Sequence, residues 1–166
     1  MPTKIGGGGK PQEYDPSNGR YGYGSHGLSS YYVKAKMILS YFPSLPDIEQ
    51  SKIKMPNYSK SVTPDEKFTK YSLDETHPHG KHKAILYKKI LGFTKENYKS
   101  LKNQIHRAIT SGSAKLYKIE KNEYNIIKFE YHVEVTSLNG NKATIVAVYG
   151  IGPKQGKPKM ITNYIK

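Results

Sequence analysis

Ile127-Lys128-Phe129-Glu130-Tyr131-His132-Val133-Glu134-Val135 alternates apolar and polar side chains without a break, and Asn139-Gly140 follows shortly after. A period of two sustained over that length marks a strand with one buried face. Asn-Gly is a strong hairpin signal, so a second strand is expected over 143–149, where both faces are largely apolar. A two-residue loop of Asn139 and Gly140 would pair residues whose numbers sum to 279, as 138 with 141. His132 would then face Ala147, and Glu130 would face Tyr149. The odd-numbered residues from Ile127 to Val135 point to the core, so Lys128, Glu130, His132 and Glu134 line the opposite face. Working outward, 114–119 supplies an earlier strand. A Gly/Pro/Lys loop over 152–158 precedes a last strand near 159–165.

Upstream of the strands the period changes to that of a helix. Residues 80–91 place Ala84, Ile85, Leu86, Tyr87, Ile90 and Leu91 in a pattern that ends at Gly92. Thr94 is a fitting N-cap for a second helix with the stripe Tyr98, Leu101, Ile105, Ala108 and Ile109, stopped by Gly112. The expected fold is therefore α+β, with two helices packed on one face of a four-stranded antiparallel sheet. Residues 1–66 read as a flexible or loosely packed N-terminal arm, because Gly6-Gly7-Gly8-Gly9 and the tract from Tyr21 to Gly27 offer little apolar surface to offset backbone entropy. Within that arm, 28–42 holds enough apolar residues for one short helix or strand. The compact domain is expected over 67–166.

Charge is concentrated in that domain. The 166-residue chain carries 27 Lys+Arg against 13 Asp+Glu, a formal net of +14. Residues 1–59 contribute 7 against 4, or +3, and 60–166 contribute 20 against 9, or +11. Such an excess suits a phosphate-bearing polymer or an acidic protein partner. Mean hydropathy is −0.72, and no run approaches the ~18 apolar residues of a membrane span. A soluble chain without stable membrane association, a monomer on its own, is expected. The absence of cysteine excludes disulfides, thiolate metal sites and cysteine nucleophiles.

The chemistry-bearing stretch runs from Lys70 to Ala84 and includes His77, His79 and His82 beside Lys81 and Lys83. Imidazole exchanges protons near neutrality, and ammonium groups stabilise charge on phosphate. The H-x-H-x-x-H cluster invites a zinc reading, but it lacks the spacing that puts two histidines on one helix face, so no metal is expected. Neither a Walker pattern nor G-x-S-x-G is present. Cleavage of RNA needs no protein nucleophile, since the 2′-hydroxyl attacks its own phosphate. It needs a base, an acid and a cation, which histidine, lysine and tyrosine supply.

Taken together, His77-Pro78-His79-Gly80-Lys81-His82-Lys83-Ala84, then Leu91-Gly92-Phe93, and Thr162-Asn163-Tyr164 in the last strand follow an H-P-x-G-x-x-K-A … L-G-F … T-x-Y pattern. This resembles a family of C-terminal toxin domains of bacterial polymorphic toxins, which looks like part of the barnase, EndoU, colicin and RelE-like group of metal-independent ribonucleases. The resemblance covers 67–166. It implies an endoribonuclease toxin without cofactor, delivered into a target cell as the end of a larger secreted protein and neutralised by an acidic immunity protein. RNA would be the substrate, tRNA among the candidates. Carried over residue by residue, it implies His82 as general acid or base, Lys83 with Lys81 on the phosphate, and Thr162 and Tyr164 orienting it. His132 joins the catalytic set from the alternation of its strand, and Tyr149 and Lys154 join Lys81 as substrate-binding residues. The chain departs from the pattern in its third strand, where Ala147 and Tyr149 stand in place of Thr and Trp. The alternatives are a non-catalytic basic module that binds nucleic acid or an acidic partner, and a metal-dependent nuclease built on the three histidines.

Overall fold

A computed structural model places the expected hairpin at the centre of the molecule. It describes residues 27–166, together with the backbone of two short upstream strands, β1 (Glu13–Asp15) and β2 (Arg20–Gly22), which pair antiparallel. The rest of the expected arm, 1–12, 16–19 and 23–26, lies outside the described residues. Four strands, β3 (Lys115–Lys121), β4 (Ile127–Thr136), β5 (Lys142–Ile151) and β6 (Lys159–Ile165), pair antiparallel in chain order. Helices pack against this sheet, and the fold is α+β.

On β4 the odd residues from Ile127 to Val135 are buried and the even ones are not, as the alternation requires. The register differs by one from expectation. Tyr131 pairs with Ala147 and His132 with Val146, a sum of 278. The loop has three residues, not two. The Gly140 N–H donates to the Ser137 carbonyl at 3.1 Å, and the Ser137 N–H donates to the Asn141 carbonyl at 2.7 Å. Gly140 takes φ +90°, a left-handed value that closes a turn begun at Leu138 and Asn139. A slip of one residue exchanges the faces of a strand. Tyr149 consequently pairs with Phe129 inside the core, fully buried, and Val146 and Val148 take the outer face.

Both expected helices are present. α3 (Lys81–Leu86) continues as a π-helical turn through Tyr87–Leu91 and ends at Gly92. α4 (Tyr98–Thr110) follows a capping box of Thr94 with Asn97 and buries Leu101, Ile105 and Ile109. Burying each such side chain stabilises by roughly 1.5–3 kcal/mol. The hydroxyl of Tyr87, at the end of α3, donates to Asn163 Oδ1 of β6 at 2.8 Å, with both residues fully buried.

The packed unit begins well before 67. The undecided segment is a helix, α1 (Ser30–Tyr41), capped by Ser29, whose Oγ accepts the Tyr32 N–H at 3.0 Å and donates to the Gln155 carbonyl at 2.6 Å. A short helix, α2 (Asp47–Lys52), comes next. Tyr32, Ala35, Phe42 and Met55 all sit in the main core. The Met55 N–H donates to the Tyr131 hydroxyl at 3.0 Å, and Val62 bridges to Lys159 of β6. These anchors are single residues in Pro/Ser/Lys-rich chain, without a period to announce them. Among the described residues, no helix is long and apolar enough to cross a membrane.

Candidate active site

The outer face of the sheet is organised in rows that cross the strands. Lys118 pairs with Glu130, Glu130 with Val148, and Val148 with Thr162. The next row sets His132 against Val146 and Val146 against Tyr164. At ~4.8 Å per strand, the first row spans about 14 Å from β3 to β6. Lys118, Glu120, Lys128, Glu130, Thr162 and Tyr164 line a depression of about 280 Å³ over this face. Lys128 lies 3.2 Å and Lys118 3.5 Å from the Glu120 carboxylate. The hydrogen bond from Lys128 holds that carboxyl below the usual range. Glu130 is left to a different partner, His132.

α3 brings a cation to the β6 end of the row. Its start is seated against the π-helical turn Phe68–Ser72. A Cβ on Gly80 would lie 2.5 Å from the Tyr71 carbonyl oxygen, so only glycine permits this approach. His77 secures the same junction, since its Nδ1 accepts the N–H groups of His79 at 3.0 Å and Gly80 at 2.9 Å. Lys83 then reaches the sheet, and its Nζ donates to Thr162 Oγ1 at 2.9 Å. The same ammonium stands 5.2 Å from the ring centres of both Tyr71 and Tyr164, within cation–π range. Burial lowers the Lys83 pKa, and it raises that of Tyr164, with the nearby Glu130 charge adding to the rise.

At the β3 end stands an imidazole–carboxylate pair. His132 Nε2 lies 3.2 Å from Glu130 Oε2, with both side chains largely shielded from solvent. The His132 ring is stacked on Tyr117 at 4.3 Å between centroids and 17° between planes. Tyr117 can reach it because the β3–β4 register shifts between Leu116 and Lys118, a bulge that turns Tyr117 out of the ladder. Beyond this stack a second depression, about 460 Å³, opens between α2 and β3. Lys118 lines both hollows, Glu130 the first and His132 the second.

The structure unites part of the expected set. Lys83, Thr162 and Tyr164 converge, and His132 lies on the same face, in Tyr164's own row. His82 and Lys81 are exposed on α3, and among the described residues neither forms a hydrogen bond to the cluster. Tyr149 is a core residue, bonded through its hydroxyl to Thr63 at 2.6 Å, and the one-residue slip of register is the reason. Lys154 is exposed in the β5–β6 loop and lines neither hollow. Sequence reading missed Tyr71, Tyr117 and Lys118. The spacing of Leu116 and Ile119, three apart in a strand, was a signal for the bulge that presents Tyr117. Tyr71 gave no comparable sign.

Fold and face together define a basic α+β domain with a lysine, a hydroxyl and an imidazole–carboxylate pair gathered on an open sheet. Residues 54–166 match the family described as a domain of unknown function, DUF6883, and the chain belongs to that family. No curated protein and no solved structure matches it. The matched stretch holds every residue of the rows described above, while α1 and α2 precede it.

Proposed function

We propose that this chain is an endoribonuclease that cleaves RNA by 2′-hydroxyl transesterification, using side chains alone. The observation that supports it most is that Lys83 is fixed on Thr162, whose row holds Glu130 two strands away, itself paired with His132. Glu130 takes the proton of the 2′-hydroxyl, and O2′ attacks phosphorus. The P–O5′ bond breaks, and His132 as imidazolium protonates the departing oxygen, giving a 2′,3′-cyclic phosphate and a 5′-hydroxyl. Lys83 and the Tyr164 hydroxyl neutralise charge on the phosphorane. His82 and Lys81, exposed nearby on α3, contact flanking phosphates. In this reading an acidic immunity protein covers the face in the producing cell, and the chain acts as the toxic end of a larger delivered protein.

The test is single-stranded RNA with purified protein in EDTA. We expect cyclic-phosphate products, lost by about 10²-fold or more in His132→Ala and Lys83→Met and largely retained in His82→Ala. Intact RNA at enzyme excess sinks the proposal. The +11 excess over 60–166, with exposed Lys81, Lys88 and Lys89 beyond the site, favours one other reading, a non-catalytic nucleic-acid-binding module. That reading expects salt-sensitive binding without products.

A further inference from the structure

We infer that the hollow between α2 and β3 is a nucleobase subsite that selects guanine in single-stranded RNA, an inference that rests on the ribonuclease reading. Its volume, about 460 Å³, suits a small ligand. Its wall on β3 and β4 is aromatic. Tyr117 is 60% exposed and held parallel to His132, with the Lys166 ammonium 5.9 Å from its ring centre, so it offers a base both stacking and a cation. Unpaired bases are bound by such stacking combined with hydrogen bonds to their edges.

The wall on α2 is polar, and it offers acceptors. Asp47 lines the hollow with an exposed carboxylate. Gln50 gives one Nε2 hydrogen to the Phe42 carbonyl at 2.9 Å, and its Oε1 is an acceptor. Ser51 donates its hydroxyl to the Ile48 carbonyl at 2.7 Å, which leaves the oxygen lone pairs. A carboxylate with further acceptors beside it favours the base with the most donors on one edge. Guanine presents N1–H and the N2 amino group side by side, a match for a carboxylate. Adenine and cytosine present one amino group, and uracil a single N–H.

Lys118 connects this subsite to the chemistry, because it lines both hollows and heads the row through Glu130 to Thr162. A base in the hollow therefore leaves its 3′-phosphate beside Lys118, facing the acid–base pair. Residues 47–51 lie upstream of the family match at 54–166, so the wall that reads the base is supplied by chain outside the shared segment.

The test titrates the four nucleoside 3′-monophosphates into the full chain by calorimetry, and in parallel cleaves four single-stranded oligonucleotides that differ at one nucleotide. Guanosine 3′-monophosphate should bind about tenfold tighter than the other three. Asp47→Asn should level that preference, and Tyr117→Ala should weaken all four alike. Both positions are exposed, and an unchanged Tm confirms folding. Equal binding of the four, or a guanine preference that survives Asp47→Asn, overturns the subsite. Cleavage without base preference also overturns it while leaving the ribonuclease reading intact. Guanine-selective binding that depends on Asp47, with no oligonucleotide cut, upholds the subsite and removes the ribonuclease reading.

Discussion

Lys83 carries its ammonium into a half-buried place between the Tyr71 and Tyr164 rings, anchored on Thr162. Leaving water disfavours the charged form, so its pKa is lowered. If the protonated ammonium supports the phosphorane, activity must fall on the alkaline side at a lower pH than an ordinary lysine would dictate. Arginine keeps its proton throughout but cannot reproduce a point contact with Thr162. Lys83→Arg should therefore lose about tenfold in rate at pH 7 while its alkaline limb moves upward. A limb that stays in place in the variant, read from kcat against pH, would assign the titration to another group. Lys83, Thr162 and Tyr164 were legible in the sequence because they stand in a recurring pattern. His132 was legible from alternation alone. Glu130 was placed correctly on the outer face by the same alternation, but its pairing with His132 depends on rotamers that no spacing encodes. Asn163 was not legible as a core residue, since a polar side chain in a strand normally signals the exposed face. It is tolerated inside because Tyr87 bonds to it.

Among the elements, α3 decides whether the site exists. It is short, and its seat on the turn Phe68–Ser72 leaves no room for a side chain at position 80. Gly80→Ala pushes a methyl against the Tyr71 carbonyl, and the helix start must shift. We expect a loss of about 1–3 kcal/mol in urea unfolding, together with a fall in kcat larger than that of Thr162→Ala, because Lys83 moves with the helix. A variant with unchanged stability and rate would show that α3 is not held by this contact. β4 and α4 could be read ahead of the structure because each buries one face and so keeps its period. The segments that could not be read, from α1 to Val62, attach through single residues such as Phe42 and Met55. Asn139-Gly140 gave the turn but not its length, and the third loop residue, Leu138, carried the slip that moved Tyr149 inward.

At the scale of the whole molecule, three distant parts of the chain meet on one hydroxyl. Thr63 Oγ1 lies 2.6 Å from the Tyr149 hydroxyl of β5 and 2.9 Å from His106 Nδ1 of α4. Burial raises the Tyr149 pKa, so its hydroxyl stays protonated as a donor. With a neutral ring unprotonated at Nδ1, one relay runs from Tyr149 to Thr63 to His106. Protonation turns Nδ1 into a donor and forces the relay to reverse. Burial, and then the charge of Lys102, lower the His106 pKa from the ordinary value. A base with a depressed folded-state pKa is protonated more readily in the unfolded chain, so stability falls as pH drops below about 6.5. The carboxylates whose pKa values are lowered, Asp65, Asp74 and Glu120, act in a more acid window, below the ordinary carboxylate range near 4. His106 therefore contributes a slope between pH 6.5 and 5 that these carboxylates do not. His106→Gln should cost about 1 kcal/mol at pH 8 through the altered hydrogen bond, yet lose less than the parent on acidification. Parallel stability curves for the two proteins over that interval, from denaturant unfolding, would place the acid-sensitive group elsewhere.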